Sequence, residues 1–365
     1  MTPHSRLDAT VPARSARARR AEQPGRAAPA AASNLLFDRL GLSAPVVQAG
    51  MGGGLSRHEL AAAVSEAGGL GTIAVNGAAA IERELTAARR LTGRPLAVNL
   101  LLPFARRDWF RAAAAADVVV TFWGAPKRRT PGAWIHQCGS VAEAQAARAA
   151  GADAVIVQGV EAGGHVRGLT PASELLERVR AALPAGFPLL LAGGIADSGD
   201  VGQALDGGAV AAVAGTRFLL SEESRAHPGY TERLLAAEET ILTELFGAGW
   251  PAPHRVVPNA ATAHWLDEDP RGPRLNRALG DERRGPRLNR VLNRLSGHGA
   301  RYMPASLQAR IARAQRPTSR LLSPIGPTDD GFANLVEAGP LYAGETVARI
   351  DDVRPAAQLV DSLTP

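Results

Sequence analysis

Eight short apolar runs, separated by alanine-rich stretches of helical period, leave this chain few ways to fold. The runs are Val46–Ala49, Thr72–Val75, Leu96–Leu101, Val118–Phe122, Ala133–Gln137, Ala154–Gln158, Leu189–Ala192 and Val210–Ala214. They are continuous rather than alternating, as parallel strands are when interior side chains cover one face and helices the other. Between them, Arg57–Ala67, Ala79–Leu91, Val141–Ala150, Ala172–Leu183 and Ser198–Asp206 read as helices, with Ser56, Ser140 and Asp197 at N-cap positions. Gly68, Gly151 and Gly207 follow three of these, where glycine accepts the left-handed conformation that ends a helix. Repeated βα units predict an α/β fold, a (β/α)8 TIM barrel. A hydrophobic fraction of 45% and 39 glycines suit helices packed closely on a parallel sheet.

The barrel is expected over 34–246, closing with a helix over Tyr230–Phe246. An Arg/Pro-rich excursion, a smaller and partly helical appendage, then spans 247–330, and 331–365 returns to the barrel. Residues 1–33 read as a disordered basic leader. They lack the apolar core of a secretory signal, and Pro24 and Pro29 interrupt any amphipathic helix.

The formal charge of +6 is unevenly spread: Arg271–Arg320 carries thirteen arginines against Asp281 and Glu282, which leaves the remainder net acidic. Within it Arg271-Gly-Pro-Arg-Leu-Asn-Arg277 recurs as Arg284-Gly-Pro-Arg-Leu-Asn-Arg290, too short a repeat for a solenoid. No aromatic residues interleave with these arginines, Tyr302 being the nearest, so nucleic acid is disfavoured as a partner. No apolar run reaches transmembrane length, so no membrane partner is expected. The one cysteine, Cys138, excludes an internal disulfide and fits a reducing cytoplasm.

In parallel barrels chemistry sits just beyond the C-terminal ends of the strands, and four such segments stand out. Gln48-Ala-Gly-Met-Gly-Gly-Gly54 follows the first run and would let backbone amides approach a flat ligand closely. It does not continue into a dinucleotide-binding fingerprint. Gln158-Gly-Val-Glu-Ala-Gly-Gly-His165 follows the sixth, placing a histidine suited to proton abstraction in a loop of small residues. Leu191-Ala-Gly-Gly-Ile195 and Ala214-Gly-Thr-Arg-Phe218 follow the seventh and eighth. Backbone N–H groups of Gly193, Gly194, Gly215 and Thr216 read together as a phosphate site. His136 and Cys138 read as structural, and no metal is expected.

These segments occur in an order that resembles nitronate monooxygenases, formerly called 2-nitropropane dioxygenases. Glu66-Ala-Gly-Gly-Leu-Gly71, Phe122-Trp-Gly124, Leu341-Tyr-Ala-Gly-Glu-Thr346 and Arg354-Pro-Ala-Ala357 agree, and the resemblance runs from about Phe37 to Leu363. It implies FMN, with its phosphate at the last two glycine loops and its ring against Gln48, Ala49, Gly50 and Met51. It implies further cofactor contacts from Asn99, Gln158, Gly163 and Gly164, and a substrate side lined by Trp123 and Met51. His165 would remove the proton α to a nitro group, with O2 completing conversion to a carbonyl compound and nitrite. A small-molecule substrate and O2 are then the partners, and a homodimer is compatible with the sequence.

Only Ala125–Ile135 lies between Trp123-Gly124 and His136-Gln137, too little for an ordinary crossover helix, so the fourth βα unit is expected to be distorted. Two other readings compete. An FMN- and NADH-dependent enoyl-acyl carrier protein reductase shares the barrel and the Glu-Ala-Gly-Gly-His segment. A non-catalytic barrel gripping nucleic acid through Arg271–Arg320 has no use for an intact glycine-histidine loop.

Overall fold

The computed structural model describes residues 35–247, 252–266 and 305–365. The leader 1–33 and the duplicated arginine motif lie outside the described residues. The strands are β1 (Val46–Gln48), β2 (Gly71–Ile73), β3 (Leu96–Leu101), β4 (Val118–Phe122), β5 (Ala133–Cys138), β6 (Ala154–Gln158), β7 (Gly164–His165), β8 (Leu189–Ala192), β9 (Ala211–Ala214), β10 (Ile241–Thr243), β11 (His254–Val257) and β12 (Leu341–Tyr342). Eight of them form one parallel sheet in the order β1-β9-β8-β6-β5-β4-β3-β2, and a parallel bridge between Val47 and Leu70 joins its two edges. The sheet curls into the expected (β/α)8 barrel.

The continuous apolar runs are explained by burial on both faces. Val47, Val120, Ile135, Ile156 and Leu190 point into the barrel, which Leu36 and Phe37 of α1 (Leu35–Leu40) plug. Their neighbours Val46, Trp134, Val155, Val157 and Leu191 point outward against the helices. Those helices are α2 (His58–Glu66), α3 (Ala78–Leu91), α4 (Arg107–Ala113), α5 (Val141–Ala149), α6 (Ala172–Ala182) and α7 (Ser198–Asp206). Beyond them come α8 (Thr216–Leu219), α9 (Pro228–Leu235), α10 (Ala260–Trp265), α11 (Ala305–Ala314), α12 (Leu335–Ala338) and α13 (Ala356–Leu363). The chain's last helix, α13, packs against α7 and α2 and closes the outer ring through Leu359, Val360 and Leu363.

Ser140 and Asp197 cap their helices as expected, Asp197 in a full capping box with Asp200. Ser56 does not. Its backbone N–H closes a turn onto Met51 O, its hydroxyl bonds the Met51 backbone, and α2 starts after Arg57 without a side-chain cap. Gly68 and Gly151 take the left-handed conformation, but after α7 it is Gly208 that does so, because Gly207 still continues the helical turn. The helix expected over Tyr230–Phe246 ends at Leu235, since Ile241–Thr243 pairs antiparallel with β11. A further helix, α4, buries Phe110 where no helix was expected.

The fourth βα unit is distorted as the short connection predicts: residues 123–132 contain no helix. Arginines cover the gap. Arg128 bonds Gly132 O, Gly151 O and Asp153 and lies 5.8 Å from the Trp134 ring centroid, while Arg129 lies 5.1 Å from that of Phe110. Trp123, which opens this connection, is the one non-glycine residue with positive φ, at 65°, among the described residues.

A second, antiparallel sheet of β10, β11, β12 and β7 is built from chain far apart in sequence. Its strand β11 comes from within 247–330, expected to be irregular, and 331–365 returns as β12 and α13.

Candidate active site

The loops leaving β1, β3, β6, β8 and β9 open into one cavity of about 990 Å³. That is near the upper end of ordinary small-molecule sites, roughly 300–1,000 Å³. From the β1 turn it is lined by Ala49, Gly50 and Met51, and from β3 by Asn99. From the β6 loop come Gln158, Gly163, Gly164 and His165, and from the turns after β8 and β9 come Gly193, Gly194, Gly215 and Thr216.

Two expected residues are elsewhere. Gln48 is fully buried off the cavity lining, where its amide accepts from Thr72 N–H at 2.8 Å and donates to Ala49 O, so it supports the first turn from behind. Trp123 is likewise off the lining. It stands beside the catalytic candidate instead, its ring centroid 6.3 Å from that of His165, with the Arg167 guanidinium 5.0 Å from its centroid.

His165 is held by pairing on both sides of its loop. Gln158 donates to His165 O at 2.9 Å and accepts from Arg167 N–H at 3.0 Å, which commits its amide to the loop backbone. On the other side β7 pairs with β11, setting His165 opposite His254 and Gly164 opposite Arg255. Arg255, itself buried, donates to Val160 O at 2.8 Å and meets Glu345 at 2.8 Å, fastening β11 to the same loop. The Glu161 carboxylate accepts from Ala172 N–H at 3.0 Å and so caps α6, whose own N-cap is Pro171.

Burial, with His254 alongside, holds the His165 imidazole well below its ordinary pKa, so the ring is neutral near pH 7 and has a lone pair to accept a proton. His254 is also neutral, its pKa pushed down to about 4 by burial. The Ala252 carbonyl 2.8 Å from Nδ1 can only accept, which fixes the proton there, and Nε2 accepts from Phe246 N–H at 3.2 Å.

Glycine is required where backbones meet. A Cβ at Gly50 would lie 2.3 Å from Asn99 Cβ, and one at Gly163 would lie 2.5 Å from Ala343 C. At Gly194 a Cβ would meet nothing within 4 Å, which leaves that backbone open to the cavity.

Several lining residues were not singled out in the sequence. Tyr342, Gly344 and Thr346 come from the C-terminal return, and Gln137 from the end of β5. The Tyr342 ring centroid is 5.6 Å from that of His165, its hydroxyl donates to Pro324 O at 2.7 Å, and Gly344 N–H donates to Thr216 Oγ1 at 2.9 Å. The Leu341–Thr346 motif signalled this segment, though not its place in the site. Ile311 and Ile325 bring the described part of the excursion to the cavity. His136 is structural as expected, hydrogen-bonded to Thr121 at 2.7 Å, and Cys138 is buried with its thiol pushed far up by desolvation. No helix among the described residues is long and apolar enough to cross a membrane.

A parallel eight-stranded barrel with a histidine-bearing cavity at the C-terminal ends of its strands defines a (β/α)8-barrel enzyme. The chain belongs to the nitronate monooxygenase family, whose model matches residues 33–125 and 127–365, and it is therefore an oxidoreductase. A nitronate monooxygenase from Pseudomonas aeruginosa is 35% identical over 262 residues, covering 56% of this chain and 74% of the relative. Among solved structures, FabK from Thermotoga maritima matches with TM-score 0.67 and 27% identity over 90% of this chain and 94% of that one. A nitroalkane oxidase from Streptomyces ansochromogenes matches with TM-score 0.64 and 27% identity, over 90% and 96%.

Proposed function

We propose that this enzyme oxidises nitronates and nitroalkanes with O2 to a carbonyl compound and nitrite, using FMN, with His165 as the base. The observation that carries the reading is that His165 and the glycine turns after β8 and β9 line one cavity. The residues present fit FMN. Backbone N–H groups at Gly193, Gly194, Gly215 and Thr216 would hold the phosphate, and Ala49, Gly50, Met51 and Asn99 would face the ring. FMN, when bound, supplies the redox chemistry, accepting the electrons that leave the nitronate.

The chain's own part is acid–base and positional. A neutral imidazole of His165 accepts the proton α to the nitro group, and Met51 lines the same cavity. Trp123 and Tyr342 flank that ring and limit its rotation. The cytoplasm is the proposed setting, in keeping with the single buried thiol.

The test is His165→Ala. The variant is expected to retain FMN yet lose roughly 10²–10⁴ in kcat/KM on a neutral nitroalkane, while a preformed nitronate suffers less. Equal turnover of the neutral substrate by variant and parent removes the assignment. The likeness to FabK favours one alternative, an NADH-dependent enoyl-acyl carrier protein reductase. Rapid flavin reduction by NADH with crotonyl thioester turnover, and none with a nitronate, would select it.

A further inference from the structure

The floor of the cavity is made by inward-facing residues at the C-terminal ends of the barrel strands. Along β5, Ala133 and Ile135 face the barrel interior, and by strand alternation Gln137 does too. Asn99 of β3, Phe122 of β4 and Gln158 of β6 reach the floor in the same way, and all four line the cavity. Three of the four are carboxamides, and they differ in what holds them. Gln158 commits both ends of its amide to the His165 loop, and Asn99 donates to Gly50 O at 3.4 Å. The half-buried Gln137 amide has no hydrogen-bond partner among the described residues. Its neighbours in register, Phe122 on β4 and Ile156 on β6, are apolar and offer it none. A ligand that covered this amide without pairing with it would strip its water and return nothing. In the closed strand order β5 stands four places from β1, on the opposite wall.

We propose that Gln137 holds the imide edge of the flavin ring, donating its N–H to a ring carbonyl oxygen and accepting the ring imide N–H on its own carbonyl oxygen. The proposal rests on the reading that FMN is the cofactor, with its ring against the β1 turn and its far edge toward β5. A carboxamide carries a donor beside an acceptor, and an imide carries an acceptor beside a donor, so the two pair twice in one plane. A nitro group or a carboxylate has acceptors only and would leave half of the amide unpaired. Reduction adds negative charge to that part of the ring, and a donated N–H favours the charge. Gln137 therefore tightens binding and raises the reduction potential together.

The test is Gln137→Met, which keeps the length of the side chain and removes both hydrogen-bonding groups, beside Gln137→Glu, which sets a negative charge there. Two quantities are measured for each: release of FMN on dilution of the loaded protein, read by flavin fluorescence, and the midpoint potential of the bound flavin. Gln137→Met is expected to hold FMN roughly tenfold more weakly, the effect of two neutral hydrogen bonds. Its reduced form should lose roughly fivefold more affinity than the oxidised form, a fall of about 20 mV for a two-electron couple. Gln137→Glu should lower the potential further, because a carboxylate opposes the added charge. Parental affinity and potential in Gln137→Met overturn the proposal, and a raised KM for nitronate with both unchanged would assign the residue to the substrate instead. A parent that binds no FMN would remove the cofactor reading and this one with it, whereas an FMN-loaded parent inactive on nitronates would leave the Gln137 measurements standing.

Discussion

His254 stands directly opposite His165 in the antiparallel pairing of β11 with β7, their ring centroids 5.5 Å apart. Both nitrogens of His254 are engaged by backbone, so it cannot take a second proton without abandoning Phe246 N–H. The candidate base thus faces a neutral neighbour whose two ring nitrogens are both held by backbone.

His254→Phe keeps a ring but leaves Phe246 N–H and Ala252 O unsatisfied, at about 1–3 kcal/mol each. It is expected to lower the urea midpoint and to reduce nitroalkane kcat/KM about tenfold, equivalent to roughly 1.4 kcal/mol of lost positioning. His254→Gln, which can both donate and accept, should recover part of each loss at unchanged flavin content. Parental stability and rate in the phenylalanine variant would refute a positioning role.

Acid should weaken the fold before carboxylates titrate. The pKa values of His136 and His254 are depressed by burial to about 4 in the folded chain, against 6.5 when unfolded. As pH falls below 6.5 the unfolded chain binds protons that the folded chain refuses. Stability present above that value is therefore lost progressively toward pH 4, about 3 kcal/mol per group. Thermal midpoints between pH 7.5 and 4.5 measure this, and His136→Gln should flatten the curve. A midpoint constant across the window would contradict it.

The close approaches at Gly50 and Gly163 predict distinct losses. Gly163→Ala sets its new methyl against the Ala343 and Gly344 backbone, so the C-terminal return must shift and flavin retention should fall steeply. Gly50→Ala displaces Asn99 and should reduce retention less. Gly52→Ala meets nothing within 4 Å and serves as the control. Flavin absorbance per mole of purified protein distinguishes the three, and equal values would remove the packing explanation.

Arg217 is buried in α8, just after β9, and donates to Asp352 Oδ1 at 2.7 Å, Asp352 O at 2.6 Å and Leu220 O at 3.0 Å. Asp352→Asn removes the charge and retains the shape. Because Asp352 is partly exposed, the expected cost is roughly 2 kcal/mol, less than for a fully buried pair. Denaturant unfolding would measure it, and an unchanged midpoint would assign the Arg217 contacts to backbone alone.

What was legible in the sequence was local. Barrel strands announced themselves through unbroken apolar runs, and Asp197 announced itself as the N-cap of α7. The glycine turns and His165 were found because barrel grammar says where chemistry sits. Elements made by distant pairing were not legible. β7 is two residues long, and β11 lies between Pro253 and Pro258, so neither carries a pattern of its own until the other is beside it. Gln48 misled for a related reason: a polar residue ending a strand faces either the mouth or the neighbouring chain, and only the position of Thr72 decides. Tyr342 reaches the cavity by a return path that no local periodicity records.

All eight barrel strands are complete by Ala214, yet the imidazole they present acquires its antiparallel partner only from β11 and its C-terminal wall only from Tyr342. On the ribosome, scaffold therefore precedes competence: the machinery for chemistry is completed by segments that emerge after the barrel strands. Any shortening of the arginine-rich region has to spare the residues on either side of it that complete the pocket.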